Sequence, residues 1–404
     1  MNTARIVPFT AAVLLLLMLA TACPRKHPPV KPAPLLIKVE WKELGLVGDD
    51  GAFRNLTVAC RRSLSYYAKL PSDQTLKYGR ARLSVADAVR SLHGFLAIIE
   101  NDRLSPEEKT ATIEKNFDLL MSTGSDGKGA VLFTGYYEPV LEGRLKPGGK
   151  FRYPIYRRPH DLLTIKLRDF PTAQSDRTIY GRVKGENVVP YYTREEIDQD
   201  RKLDGRNLEL AWLKDPVDVF FLQIQGSGRL DLGDGRIVHV QYDGKNGHPY
   251  VSLGKHLIER GLMNRDEVSM ERIKKFLADH PALRRDTLNV NPSYTFFRFE
   301  KDGPYGNINV ALTPYRSIAT DSSLFPKGAP CLIRSEKPIL DARGNVLEWT
   351  PFTRFVMNQD TGGAIKGPGR VDLFCGAGPA AAKTAGAMRN SGKLYFLLEK
   401  GMVK

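Results

Sequence analysis

The stretch Gln359-Asp360-Thr361-Gly362-Gly363-Ala364-Ile365-Lys366-Gly367 is followed almost at once by Arg370-Val371-Asp372-Leu373-Phe374, and Ala319-Thr320-Asp321-Ser322-Ser323 lies upstream. Together the segments set three aspartates in a glycine-rich frame. Glycine permits tight turns and lets backbone approach a ligand closely. Val371, Leu373 and Phe374 flank Asp372 with apolar side chains, and an apolar setting raises a carboxyl pKa toward the range a general acid needs. Each aspartate also has an ordinary explanation, because Asp beside Ser, Thr or Gly commonly caps a turn through side chain to backbone hydrogen bonds.

Around this stretch the chain reads as short strands broken by Gly, Pro and Asp. Val131–Tyr137, Phe151–Tyr156, Val219–Gln225, Arg236–Tyr242 and Ser293–Phe299 carry β-branched or aromatic residues between turn signals. Cys331–Arg334, Arg354–Met357, Val371–Phe374 and Leu394–Leu398 continue the series. Helices are predicted near Val251–Arg260 and Met270–His280, and earlier from about Phe53 to Tyr67. Ser84 precedes an i, i+3, i+4, i+7 stripe of Val85, Ala88, Val89, Leu92, Phe95, Leu96 and Ile99, with Asp87 placed to close the cap. Ser105-Pro106-Glu107-Glu108 opens a further helix expected to end near Gly124. The reading is a mostly β protein with helical decoration. The roughly 360 residues beyond the N-terminal segment are too many for one small barrel, so two domains are expected.

The front end carries Arg5, an apolar run from Ala11 to Ala20, then Thr21-Ala22 before Cys23. Residues 1–22 read as a signal peptide whose apolar core is too short to span a bilayer. Ala20-Thr21-Ala22-Cys23 is similar to a bacterial lipoprotein cleavage box, with Ala20 where leucine is usual, and implies lipidation of Cys23; the alternative is a plain secretory signal cleaved near Ala22. Residues 23–36, rich in proline and base, read as an extended tether at roughly 3 Å per residue. One acyl chain binds a membrane only marginally, so a stable anchor requires several. Pro24 is not the aspartate associated with inner-membrane retention, which makes the outer membrane, facing the periplasm, the expected location.

The net charge of +15 favours anionic partners. For an exported lipoprotein nucleic acid is the poorest of these, and an acidic wall polymer or lipid head groups fit better. Cys60, Cys331 and Cys375 can form at most one disulfide, with Cys331–Cys375 the expected pair and a buried free Cys375 the alternative. No Cys-x-x-Cys or His-Glu-x-x-His occurs, so no metal site is expected. Gly362 to Gly369 lacks the phosphate-loop pattern, and Gly226-Ser227-Gly228 is not a nucleophile elbow.

Two further motifs complete the picture: Phe133-Thr134-Gly135-Tyr136-Tyr137-Glu138-Pro139 and Gln223-Ile224-Gln225-Gly226-Ser227-Gly228. Threonine can bond a sugar hydroxyl and a tyrosine face can stack on a pyranose, while an amide beside glycines can meet an N-acetyl group; core filling and a tight turn are the ordinary alternatives. With the aspartate segments, these motifs closely resemble the membrane-bound lytic murein transglycosylase A family, from about Trp41 to the C-terminus. The resemblance implies a double-psi β-barrel, residues 37–138 and 290–404, interrupted by a second smaller β-barrel at 139–289, with a glycan groove between them. It implies cleavage of the β-1,4 bond between N-acetylmuramic acid and N-acetylglucosamine in peptidoglycan. No water, metal or organic cofactor is used, and the product is a 1,6-anhydromuramic end. Asp372 matches the family's catalytic acid/base, Asp360 and Asp321 its other site aspartates, and Thr134, Gly135, Tyr136, Gln225 and Ser227 are the expected substrate contacts. The implied partners are glycan strands and, through lipid on Cys23, a membrane; accompanying wall-synthesis or division proteins are compatible with this. The rival readings are a non-catalytic wall-binding or division-scaffold lipoprotein and a water-using muramidase.

Overall fold

The computed structural model describes residues 34–402 apart from Gln174 and Asp302; the expected signal peptide, Cys23 and most of the tether lie outside the described residues. The chain enters through β1 (Leu36–Val39), then a helix at Leu56–Tyr67 and a hairpin of β2 (Thr75–Tyr78) and β3 (Ala81–Ser84). The helix Val85–Ile99 begins on a reciprocal cap between Ser84 and Asp87, as its sequence requires, and buries Ala88, Leu92, Phe95 and Ile99. A shorter helix, Pro106–Asn116, leads into β4 (Phe117–Ser122) and β5 (Val131–Glu138).

Helix Pro106–Asn116 stops well before Gly124, contrary to the sequence expectation. Phe117–Ser122 is instead a strand paired with β1 on one edge. Both its faces are covered, which produces a near-continuous apolar run and hides the alternation that would have marked a strand.

Between β5 and the return of the chain come β6 (Val140–Arg144), β7 (Tyr153–Tyr156), β8 (Leu163–Lys166), β9 (Thr178–Lys184), β10 (Asn187–Pro190) and β11 (Glu209–Leu213). Helix Pro216–Gln225, β12 (Ser227–Asp231), β13 (Ile237–Lys245), three helices between Leu253 and Asn289, and β14 (Thr295–Glu300) follow. Six of these strands form one sheet in the order β14-β13-β12-β6-β11-β7, and a bridge between Arg157 and Phe297 brings its two ends together. Ile155, Leu213, Leu222, Leu230, Val240 and Phe297 fill the inside. Strands β8, β9 and β10 form a separate sheet.

Val219–Gln225 is helical, not the expected strand. Asp215 accepts from the Val217 N–H as N-cap, Pro216 occupies the first turn, and Gly226 closes the end at φ +78°. The helix packs Val219 and Leu222 into the sheet and Val217, Phe220 and Phe221 into a second cluster with Leu257 and Leu277. Apolar on two sides, it shows no clean 3.6-residue stripe, and its β-branched and aromatic composition points the wrong way.

The remaining chain supplies β15 (Ser317–Ala319), β16 (Pro330–Leu340), β17 (Val346–Asp360), β18 (Arg370–Ala377), the helix Gly378–Ala387 and β19 (Arg389–Glu399). Hydrogen bonding runs β19-β16-β17-β15-β18-β5 and back from β5 to β19, a closed six-stranded barrel with β4 and β1 continuing outward from β19. The pairs β15–β17 and β18–β5 are parallel and the others antiparallel. The fold is a double-psi β-barrel interrupted by a smaller β-barrel. Phe133, Ile318, Leu332, Phe355, Val371 and Phe396 belong to its core, which also takes in the apolar faces of the three N-terminal helices.

Cys60, Cys331 and Cys375 are all buried free thiols, so the expected Cys331–Cys375 disulfide is absent. Their strands do not pair with each other: Cys331 on β16 faces Val356 and Phe396, while β18 lies between β15 and β5. Among the described residues no helix is long and apolar enough to cross a membrane.

Candidate functional site

Barrel registry brings two of the aspartates together. Ala319 on the three-residue β15 is paired with Asp360 at the end of β17 on one side and with Asp372 in β18 on the other. The carboxylates thus stand on strands either side of one small residue. Asp372 is also in register with Thr134 of β5, and Phe374 with Tyr136, so the N-terminal motif meets the C-terminal one across a parallel pair. These contacts join residues more than 220 positions apart.

The Thr134 hydroxyl donates to Asp372 Oδ1 at 2.8 Å, and the Arg370 guanidinium donates to the same hydroxyl at 3.2 Å. Burial pushes the Asp372 carboxyl up to about 6; the Thr134 bond and Arg370 oppose this, and the Asp360 charge acts in the same direction as burial. Asp360 accepts from the Tyr136 hydroxyl at 2.7 Å, the Asn307 N–H at 2.9 Å and the Thr361 N–H at 2.8 Å. Burial raises its pKa too, against those three donors and the charge of Lys327. With the larger set of donors, Asp360 is the member of the pair better suited to hold the negative charge. Asp372, with the Thr134 hydroxyl as its donor, is the member better suited to carry the proton. Tyr136, half-buried beside both and 5.3 Å from the Phe374 ring, is held well above the ordinary tyrosine range by desolvation and the Asp360 charge.

Asp321 plays a different part. Its Oδ1 accepts from the N–H and hydroxyl of Ser323, and its Oδ2 accepts from the Gly367 N–H at 2.8 Å. These bonds outweigh burial and hold its carboxyl below the usual range. It is only 5% exposed and does not line the cleft, which its neighbour Ser322 does. Asp321 thus ties the Ser323 turn to the far end of the glycine loop.

A cleft of about 1080 Å³ opens over these residues. Gly135, Tyr136, Asp360, Asp372 and the loop Thr361–Lys366 line its barrel side, and Gln225, Ser227, Gln241 and Arg298 line the side formed by the interrupting barrel. Gln225 ends its helix and Ser227 begins β12, so the two face the cleft from either side of the Gly226 turn. Gly135 is fixed by packing: a Cβ there would come within 2.7 Å of Ala385 Cα and 3.0 Å of Cys375 Sγ. The Tyr137 hydroxyl lies 3.8 Å from the sulfur of Met270, itself a cleft-lining residue. No group of three or more potential metal ligands occurs among the described residues.

Three contributors escaped the sequence reading. Asn307 acts through its backbone N–H, which no side-chain pattern announces. Arg370 sits two residues before Asp372, so the period-two rule places both on one strand face and could have found it. Lys327 donates to Thr320 Oγ1 at 2.9 Å, to the Thr320 carbonyl and Asn358 Oδ1 at 3.0 Å, and to the Asp360 carbonyl. Nothing around it in sequence signals a buried ammonium.

Family comparisons agree with this architecture. Residues 132–298 match the MltA specific insert domain and residues 316–398 match the 3D domain. The membrane-bound lytic murein transglycosylase A of Vibrio cholerae is 37% identical over 279 residues, covering 68% of this chain and 67% of the relative. The Escherichia coli K12 protein of the same name is 34% identical over 69% of each. Among solved structures, the membrane-bound lytic murein transglycosylase of Agrobacterium tumefaciens superposes with a TM-score of 0.74 at 31% identity, covering 90% of this chain and 98% of that one. The Escherichia coli protein with bound chitohexaose gives 0.67 at 27% identity, covering 91% and 94%. By sequence and fold alike, the chain belongs to the membrane-bound lytic murein transglycosylase A family.

Proposed function

We propose that the protein is a peptidoglycan lytic transglycosylase that cleaves the bond between N-acetylmuramic acid and N-acetylglucosamine, with Asp372 as acid and then base. The observation that carries this reading is a carboxyl raised to about 6 on the wall of a cleft of about 1080 Å³, beside a second carboxylate that already has three donors. Protonated Asp372 donates to the glycosidic oxygen as that bond breaks, and positive charge develops at the muramic anomeric carbon. The Asp360 carboxylate, on the wall of the same cleft, favours that charge electrostatically. The resulting Asp372 carboxylate then takes the proton of the muramic 6-hydroxyl while the oxygen bonds the anomeric carbon. The acid is regenerated, no water is consumed, and the glycan ends in a 1,6-anhydro ring.

In this reading Thr134 orients the acid, and Tyr136, Gln225 and Ser227 meet the glycan from the two walls. The Escherichia coli relative was solved with bound chitohexaose, which supports an oligosaccharide ligand for this protein. We assign residues 37–138 and 290–404 to the catalytic domain and 139–289 to the insertion. Cys23, lipidated, would hold the enzyme to the outer membrane with its cleft in the periplasm.

Mass spectrometry of the digest tests the reaction. A transglycosylase yields muramic ends lighter by one water than reducing ends; reducing ends alone would identify a water-using muramidase, and no cleavage by folded protein would leave only the wall-binding reading.

A further inference from the structure

Lys327 lies in the turn between β15 and β16, 7% exposed. Among the described residues four oxygens surround its Nζ, none of them a carboxylate's: the Thr320 carbonyl and hydroxyl, Asn358 Oδ1 and the Asp360 carbonyl. The Thr320 hydroxyl gives its own proton to Asn358 Oδ1 at 2.9 Å, and Asn358 Nδ2 donates to the Pro326 carbonyl at 2.7 Å. The Thr320 hydroxyl proton is engaged and Asn358 turns its carbonyl oxygen to Nζ, so four acceptors face the amine and the seat suits an ammonium. The charged and titratable groups facing it are Asp360, Asp321, Lys366 and the Cys331 thiol, and the Tyr67 hydroxyl donates to its backbone carbonyl at 2.9 Å. Thr320 follows β15 and Asp360 ends β17, so one side chain ties the two strand ends that frame the aspartate pair.

We propose that Lys327 is a positioning residue for the acid: its ammonium fastens the ends of β15 and β17 and holds Asp360 ionised, which in turn keeps the Asp372 carboxyl protonated. The proposal rests on the reading of Asp372 as acid/base. The influences on Asp372 are burial, Thr134, Arg370 and Asp360, so Lys327 acts through Asp360. Burial brings Lys327 itself down to about 7, against the pull of Asp360. Its proton is therefore held less firmly than an ordinary lysine's, and the clamp loosens as pH rises past neutrality.

The test compares Lys327→Gln, Lys327→Met and Lys327→Arg with the unmodified enzyme. Without the cation Asp360 protonates more readily, its repulsion of Asp372 weakens, and the acid loses its proton at lower pH. In the neutral variants kcat/KM for anhydro-product release should fall about three- to ten-fold more between about pH 6 and 7, where Asp372 is losing its proton and Lys327 still holds its own, than well below that range, and the gap should close at higher pH as Lys327 of the unmodified enzyme deprotonates, since each pKa unit is tenfold in the protonated fraction. Lys327→Arg should return the alkaline limb to its place. A limb that stays put in folded neutral variants, with or without a lower Tm, overturns the proposal. Lys327→Gln keeps a donor for the carbonyls and reports on charge should Lys327→Met not fold. NMR titration of the Asp372 carboxyl carbon needs no turnover and separates this proposal from the reaction assignment. Its midpoint should drop from about 6 in Lys327→Gln, and an unmoved midpoint rejects the clamp whatever product the enzyme makes.

Discussion

Replacing Asp372 by Asn should abolish turnover and, at the same time, make the protein more stable at alkaline pH. The carboxyl titrates near 3.8 when solvated and at about 6 in the fold, with burial the leading cause. A raised folded-state pKa contributes stability that is complete below the unfolded value and is lost as pH rises through the folded one. Above that window the native state carries a charge it holds poorly. Two pKa units amount to about 3 kcal/mol, an upper figure that relaxation of the site will reduce. Asparagine is isosteric, keeps an oxygen for the Thr134 hydroxyl, and never ionises. Urea unfolding of both proteins should therefore show the variant more stable by about 2–3 kcal/mol near pH 8, with the gap closing toward pH 4. Loss of a group that both donates and accepts the proton should lower kcat by roughly 10²–10⁴-fold or more. Equal stability of the two proteins at pH 8 would refute the argument that burial sets this carboxyl. Activity within about tenfold of the unmodified enzyme would refute its role as acid/base.

Other substitutions separate the remaining roles. Asp360→Asn removes the charge that repels Asp372, so the alkaline limb of the pH–rate profile should move to lower pH; an unmoved limb would show that the two carboxylates do not interact. Asp321→Ala releases the Ser323 turn and the Gly367 N–H. It should lower stability by about 1–3 kcal/mol, the cost of stranding buried donors, and should leave the pH profile of the surviving activity unchanged, which a pH–rate series on the variant would check. Cys23→Ser should move the protein from the membrane pellet to the soluble fraction after a high-salt wash, because salt screens attachment by a basic tether and does not extract a lipid; retention in the pellet would reject the anchor.

What the sequence determined by itself was local. Reciprocal caps at Ser84 and Ser105 fix helix starts because they involve neighbours in the chain. The apolar flanks of Asp372 already announced a raised carboxyl, and the four motifs announced the family. Tertiary structure decided what depends on which elements meet. Val219–Gln225 reads as a strand until two separate clusters cover its sides, and Phe117–Ser122 reads as more helix until it lies between β1 and β19. The three aspartates look alike in sequence and differ in who reaches them: Ser323 and Gly367 occupy Asp321, Tyr136 and the Asn307 backbone seat Asp360, and the Thr134 hydroxyl bonds Asp372. A carboxyl's pKa is set by its burial and its donors, and here those come from strands brought into register by closure of the barrel.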